Sequence, residues 1–181
     1  MGWTTMGSEV LHEGPFVTLR RDDVVRPDGT RGIYEHLVAR DGVRIVAVDV
    51  TDRRVLLVED DFYLRQERVL HLPGGGTDGQ EPMEAARREL EEETGYVAKA
   101  LDRLGVIDPL PATTAARTHL YLATGLRPGT VCRDDTEIGM TVTWWDLADA
   151  VEAVRAGRIT EAGSVAGLLL AAQGPLAGLL G

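Results

Sequence analysis

From Gly74 to Tyr96 the chain reads GGGTDGQEPMEAARRELEEETGY, a glycine-rich loop running directly into a charged helix, and no other segment constrains the fold as tightly. Glycines at 74, 75, 76 and 79 let the backbone turn tightly and approach a ligand without obstruction from Cβ, and Pro82 suits the first turn of a helix. A helix is therefore expected to begin near Glu81. Ala85, Ala86 and Leu90 supply an apolar side, no interior residue breaks it, and Gly95 stands where a left-handed C-cap belongs. The helix is expected to end at Thr94.

Glu89, Glu92 and Glu93 fall at spacings of three and four on that helix, which places three carboxylates on one face. Such a cluster repels itself unless a cation intervenes. Hard divalent ions prefer oxygen ligands, keep several waters, and join one or two carboxylates to a substrate phosphate. Mg²⁺ or Mn²⁺ is thus the expected metal, and loop plus helix read as a site for metal and diphosphate. The same charges would also suit a solvated helix in which Arg87 pairs with Glu91 and Arg88 with Glu92, each pair contributing about 0.2 to 0.5 kcal/mol.

The order of the residues favours the site. Glycine, five residues, an acid position, seven residues, then Arg-Glu-apolar-x-Glu-Glu-x-Gly-apolar resembles the signature of the Nudix hydrolase family, with matches at Gly74, Arg88, Glu89, Leu90, Glu92, Glu93, Gly95 and Tyr96 and with Leu72-Pro73-Gly74-Gly75 leading in. One position departs. Gln80 stands where the family places its first glutamate, and Glu81 lies one residue too late. An amide accepts hydrogen bonds but brings no charge, so Gln80 serves if that position orients the loop and the arginine, and weakens the site if it holds metal.

The resemblance implies hydrolysis within the diphosphate of a nucleoside diphosphate linked to another group. Such chemistry rests on positioning, on neutralising charge with metal, and on an ionised water in line. By the same resemblance Glu89, Glu92 and Glu93 are candidate metal ligands, Glu92 and Glu93 candidate catalytic carboxylates, and Arg88 the residue that orients them. Gly74 and Gly75 would line the substrate, and Arg65 and Arg117 are candidate phosphate contacts. Similar enzymes often carry an acid-x-acid pair in a later loop, one acid acting on water and the other touching metal. Asp135 and Glu137 match that pattern.

Composition agrees. With 181 residues, 44% of them apolar, the chain is long enough for a sizeable core, and its net charge of −10 argues against general affinity for nucleic acid or anionic membranes. An anionic substrate therefore needs metal and local arginines. The single cysteine, Cys132, excludes an intrachain disulfide, the N-terminus lacks the layout of a secretory signal, and the apolar run 165–172 is too short to span a bilayer, so a cytoplasmic location is the expectation.

Along the chain, residues 1–8 read as frayed. Strand patterns at 16–19 and 33–38 flank the turn Arg26-Pro27-Asp28-Gly29, and 43–48 and 55–58 read as two core strands joined by a turn. Segments 101–107, 118–124 and 140–145 are further strand candidates, followed by helices near 146–156 and 160–172. His71 and His119 fall in strand contexts, His12 and His36 are isolated, and of Trp144 and Trp145 one ring is expected in the core and one on the surface. The expected architecture is α/β: a Nudix fold, an α/β/α sandwich with a mixed sheet (residues 41–175), preceded by an N-terminal antiparallel β extension (residues 1–40).

Residues 10–150 further resemble the ADP-ribose pyrophosphatases of the family, through Tyr34-Glu35-His36, the strands from Val43 and Val55, and Pro111 about fifteen residues past the signature. In that subgroup dimers commonly form through the N-terminal portion, which makes a homodimer the expectation. Differences at 59–63 and 112–116 point to altered ribose or base recognition. ADP-ribose or a related nucleoside diphosphate sugar is the substrate so implied. A nucleoside triphosphate pyrophosphatase and a catalytically impaired nucleotide-binding module are the alternatives.

Overall fold

The computed structural model describes residues 2–129 and 139–180. Two compact units emerge, one formed by the chain up to Arg40 together with Asp108–Arg117, the other by Asp41–Ile107 together with the chain from Thr118 onward.

The first unit is a three-stranded antiparallel sheet, β1 (Thr4–Glu13), β2 (Thr18–Val25) and β3 (Arg31–Val38), in that order. The Arg26–Gly29 turn closes the β2–β3 hairpin as its residues predict: Gly29, at φ 85°, donates to the Arg26 carbonyl at 2.9 Å. Of the residues expected to fray, those from Thr4 onward form a strand. From Thr4 the chain pairs with β2 through two register shifts, and Trp3 meets Tyr34 edge-on at 5.7 Å between ring centroids. Phe16 and Val17 precede β2, which begins at Thr18. His36 is not isolated, because its Nε2 lies 3.2 Å from Asp22 Oδ2. Asp108–Arg117 joins this unit through Leu37 N–H to the Thr113 carbonyl (2.8 Å) and the Tyr34 hydroxyl to the Ala112 carbonyl (2.7 Å).

The second unit is a mixed six-stranded sheet between helices. β4 (Gly42–Asp49) pairs in parallel with β8 (Thr118–Pro128), which pairs antiparallel with β7 (Tyr96–Ile107). On its other side β4 meets β5 (Arg54–Phe62), which also pairs with β6 (Glu67–His71) and β9 (Thr141–Asp146). Alternation along β4 divides the core in two. Val43, Ile45 and Ala47 pack with Leu56, Tyr121 and Ala123 beneath Ala85, Ala86 and Leu90 of α1 (Pro82–Thr94). Val46 and Val48 pack with Val55, Leu57 and Leu122 against α2 (Leu147–Arg155) and α3 (Ala162–Gln173). This is the expected α/β/α sandwich. The two tryptophans do not divide into core and surface: both are half-buried, Trp144 packing against the α1 layer and Trp145 against the α2 and α3 layer. Among the described residues no helix is long and apolar enough to cross a membrane.

Candidate active site

The glycine-rich loop is laid against the backbone of β4. Val43 N–H donates to the Gly75 carbonyl and Ile45 N–H to the Pro73 carbonyl, both at 2.9 Å, and Thr77 N–H reaches the Asp41 carbonyl at 2.9 Å. Gly74 is at φ 138°, and a Cβ there would overlap the Val43 carbonyl, so the close approach of two backbones demands glycine. At Gly75 the reason differs. A Cβ would stand 2.7 Å from Glu89 Oε1, so the missing side chain is the space in which the Glu89 carboxylate lies.

The α1 helix starts at Pro82, ends at Thr94 and is closed by Gly95 at φ 73°, in the left-handed conformation its sequence predicts. Glu89 and Glu93 are buried at 6% and 3% exposure, which is costly for carboxylates unless charge or hydrogen bonds compensate. Glu93 Oε2 accepts from Gly74 N–H at 2.8 Å. Glu89 Oε1 meets Arg88 Nη2 at 2.9 Å, and the same guanidinium reaches the half-exposed Glu92 through Nη1 at 2.8 Å.

Arg88 is the hub of the site. Its Nη2 also donates to the Gly76 carbonyl at 2.9 Å and meets Asp78 Oδ2 at 3.3 Å, and its Nε donates to Gln80 Oε1 at 3.1 Å. Burial by itself would lower the affinity of this guanidinium for its proton, but Glu89 and Glu92 outweigh that and raise its pKa. Gln80 thus holds the arginine as an acceptor, the role open to a neutral amide. Of the two pairs expected on a merely solvated helix, Arg88 with Glu92 forms, whereas Arg87 turns to Glu84 at 3.9 Å.

A divalent ion suits this donor set: three carboxylates along one helix, two of them buried, with the Arg88 guanidinium set among them. Among the described residues, however, no three acidic, histidine or cysteine side chains converge on one point. The fit is therefore to an ion taking one or two carboxylates and completing its shell with water and substrate oxygens.

The other predicted site residues have partners of their own or lie outside the described residues. Arg65 sits in the turn after β5, with its Nε 2.7 Å from Glu67 Oε1, and Arg117 belongs to the first unit, where it pairs with Asp108 at 3.2 Å. Asp135, Glu137 and Cys132 lie outside the described residues. Sequence reasoning missed Arg44, whose Nη1 donates to the Gly74 carbonyl, and Ser164, whose Oγ accepts from Leu72 N–H at 2.8 Å. For Arg44 there was a signal, a lone charge inside an apolar strand of the central sheet.

Residues 38–163 match a family model described as the NUDIX domain, and residues 3–37 match one described as the nucleoside diphosphate sugar hydrolase N-terminal domain. The chain is a Nudix hydrolase. An ADP-ribose pyrophosphatase of Mycobacterium tuberculosis (strain ATCC 25618 / H37Rv) is 36% identical to it over 91% of this chain and 81% of that protein. A CMP-5'-(N-acetyl-N-hydroxy-3-aminopropyl)phosphonate hydrolase of Streptomyces rubellomurinus (strain ATCC 31215) is 32% identical over 93% and 82% of the two chains. A solved structure of an ADP compounds hydrolase superposes on this Nudix hydrolase with a TM-score of 0.87, covering 99% of this chain and 96% of the other at 24% identity, a likeness of fold.

Proposed function

We propose that this Nudix hydrolase uses Mg²⁺ or Mn²⁺ to cleave the diphosphate of ADP-ribose or a related nucleoside diphosphate sugar, releasing a nucleoside monophosphate and a sugar phosphate. The observation that carries the reading is the convergence of Glu89, Glu92, Gln80 and the Gly76 carbonyl on Arg88, with Glu93 held by Gly74 N–H. Similarity to an ADP-ribose pyrophosphatase over most of both chains supports the substrate class.

In this reading the metal would take one or two of the carboxylates Glu89, Glu92 and Glu93 and complete its shell with water and substrate oxygens. When bound, the ion neutralises diphosphate charge and lowers the pKa of a water. Arg88 keeps Glu89 and Glu92 in fixed orientations, and Gly74 N–H does the same for Glu93, so the carboxylates need no reorganisation when substrate arrives. Asp135 and Glu137 are proposed from the sequence as the acid acting on water and the acid touching metal. The water attacks one phosphorus in line, the bridging oxygen leaves with the other phosphate, and the chain forms no covalent bond to either. Beside Arg88 and Gln80 opens a cavity of about 450 Å³, lined by Arg87 and Arg127 but also by Glu84 and Glu91, with room for part of a substrate. Arg65 and Arg117, each held in an exposed ion pair, remain proposed phosphate contacts.

A homodimer is also proposed. The three-stranded sheet leaves Met6, Val10, Ile33 and Val38 exposed, apolar area that a second copy would cover. Light scattering giving a monomer mass at all concentrations would refute it.

The test of function is incubation with Mg²⁺ or Mn²⁺ and a panel of ADP-ribose, NADH, nucleotide sugars, dinucleoside polyphosphates and nucleoside triphosphates, with products resolved by chromatography. The reading expects ADP-ribose or a nucleotide sugar to turn over fastest and chelation with EDTA to abolish turnover. A strong preference for triphosphates would overturn the substrate class, and saturable binding with no turnover of any compound would overturn hydrolysis.

A further inference from the structure

Gly74 is held at both ends. Its N–H carries Glu93, and its carbonyl accepts from Arg44 Nη1. Glycine has the freest backbone of any residue, so its partners decide where that N–H points. The partner on the carbonyl side comes from the opposite face of the sheet. Arg44 lies on β4 among the residues that alternate toward α3, and its Nε meets Glu161 Oε2 at 3.2 Å.

Glu161 is the N-cap of α3. Its Oε1 accepts from Gly163 N–H at 3.0 Å, and its Oε2 accepts from Ser164 N–H at 2.7 Å and from the Ser164 hydroxyl at 2.6 Å. Serine, threonine, aspartate and asparagine are the favoured caps, since a short side chain suffices for capping alone. The longer glutamate caps the helix and reaches Arg44 as well. Gly163 makes room for this: a Cβ there would stand 2.8 Å from Arg44 Cγ. Ser164, fully buried, accepts from Leu72 N–H at 2.8 Å, so the first turn of α3 grips the loop at a second point, two residues before Gly74.

We infer that Arg44 and Glu161 are positioning residues for the catalytic loop, transmitting the placement of the α3 N-terminus to Gly74 and through it to Glu93. The inference rests on the proposed role of Glu93 as a working carboxylate. Burial tends to raise the pKa of Glu161, but the charge of Arg44 and the hydrogen bonds from Ser164 and Gly163 outweigh it and hold the value at about 2. The pair stays ionised at any pH where the enzyme would be assayed.

The test compares Arg44→Met, Arg44→Lys and Glu161→Gln with wild type, and takes Asp146→Ala as a control, because that change removes only the cap of α2, where Asp146 Oδ1 accepts from Ala148 N–H at 2.8 Å. Three quantities are measured: kcat and KM on ADP-ribose with Mg²⁺, Mn²⁺ affinity of the substrate-free protein by electron paramagnetic resonance, and Tm. A loosened Gly74 is expected to lower kcat of Arg44→Met by roughly 10- to 100-fold with little change in KM, since misplacement of about 1 Å has effects of that size. Mn²⁺ affinity should fall in parallel, and Arg44→Lys, which keeps a cationic donor, should recover part of both. Asp146→Ala should lower Tm and leave kcat and Mn²⁺ affinity alone. Should Arg44→Met fail to fold, Glu161→Gln, which retains an acceptor for the cap, carries the comparison. Wild-type kcat and Mn²⁺ affinity in folded Glu161→Gln and Arg44→Met would overturn the inference, as would losses that Asp146→Ala reproduces. A wild type that hydrolyses nothing defeats the proposed function instead, and the Mn²⁺ measurement still decides this one.

Discussion

Replacing Gly75 with alanine should impair catalysis without unfolding the protein. Gly75 does not occupy the left-handed region, so its backbone conformation is open to alanine. The added Cβ, however, would stand 2.7 Å from Oε1 and 2.8 Å from Cδ of Glu89. Carbon and its neighbours pack comfortably at about 3.5 Å, so the carboxylate must retreat by roughly 0.7 Å. It has little freedom to do so alone. Glu89 is 6% exposed and bound to Arg88 at 2.9 Å, while the Gly75 carbonyl is tied to β4, so the shift passes to Arg88 and from there to Glu92. A displacement of that order at a reacting centre costs up to about 100-fold in rate, about 2.7 kcal/mol of barrier. Stability should move far less, because alanine restricts the unfolded chain by about 0.4 to 1 kcal/mol and so offsets part of the strain. Steady-state kinetics, Mn²⁺ affinity and a thermal melt followed by circular dichroism test this. Wild-type kcat and Mn²⁺ affinity with an intact melt would refute the reasoning, since Glu89 would then work equally well from another position.

Gly74→Ala should behave oppositely and fail to fold or melt far lower, because its Cβ meets the Val43 backbone at φ 138°, where no side chain can yield; a soluble, cooperative protein with wild-type Tm would contradict this. Arg88→Lys puts a point charge where a planar fork serves Glu89, Glu92, Gln80 and the Gly76 carbonyl at once, and kcat should fall by roughly 10- to 100-fold in a folded protein, a result that kinetics beside a melt would check. Gln80→Glu would replace the neutral acceptor 3.1 Å from Arg88 Nε with a carboxylate, and the added negative charge beside the acidic face of α1 should attract a divalent ion more strongly, so the Mg²⁺ concentration for half-maximal rate should drop; an unchanged Mg²⁺ titration would place this position outside metal binding. His71 is buried, its Nδ1 is engaged with the Leu72 carbonyl while its Nε2 has no partner among the described residues, and burial together with the nearby Arg44 charge lowers its pKa below 6.5. In acid the unfolded chain therefore binds a proton more readily than the folded one. This contribution to stability is complete above about pH 6.5 and is lost as pH falls, at up to about 1.4 kcal/mol per pH unit, so urea midpoints should decline from pH 7.5 to 5.5 more steeply than in His71→Gln; equal slopes would refute it.

What was legible in the sequence was local. The α1 helix is announced by Pro82, by the small apolar side at Ala85, Ala86 and Leu90, and by Gly95, all within fifteen residues, and it spans Pro82–Thr94. β4 and β5 are runs of valine, isoleucine and leucine covered on both faces, so their composition alone marks them. β1 escaped notice for the converse reason. Most of its residues are exposed, TTMGSEVLHE carries no clear alternation, and only pairing with β2 makes it a strand. Trp144 and Trp145 depart from the expected division into core and surface because adjacent strand residues face opposite ways, which in a sheet covered on both faces gives each ring a layer to enter; each also carries a guanidinium over its ring, Arg54 at 5.4 Å and Arg158 at 5.3 Å respectively.

The candidate site divides along the same line. Spacing on one helix is enough to nominate Glu89, Glu92 and Glu93, and Arg88 can be expected to reach Glu92 because residues four apart share a face, but among the described residues the three carboxylates do not converge on one point. Spacing cannot reveal what keeps the loop rigid, because Arg44 and Glu161 are separated by 117 residues and meet only once β4 and α3 have packed. A motif of this kind therefore nominates the groups for the chemistry, while the geometry they adopt depends on distant residues that carry no motif. That division has a consequence for relatives of this chain: two enzymes with identical loop and helix residues need not have equal metal affinity, and the difference should track the residue that faces the Gly74 carbonyl.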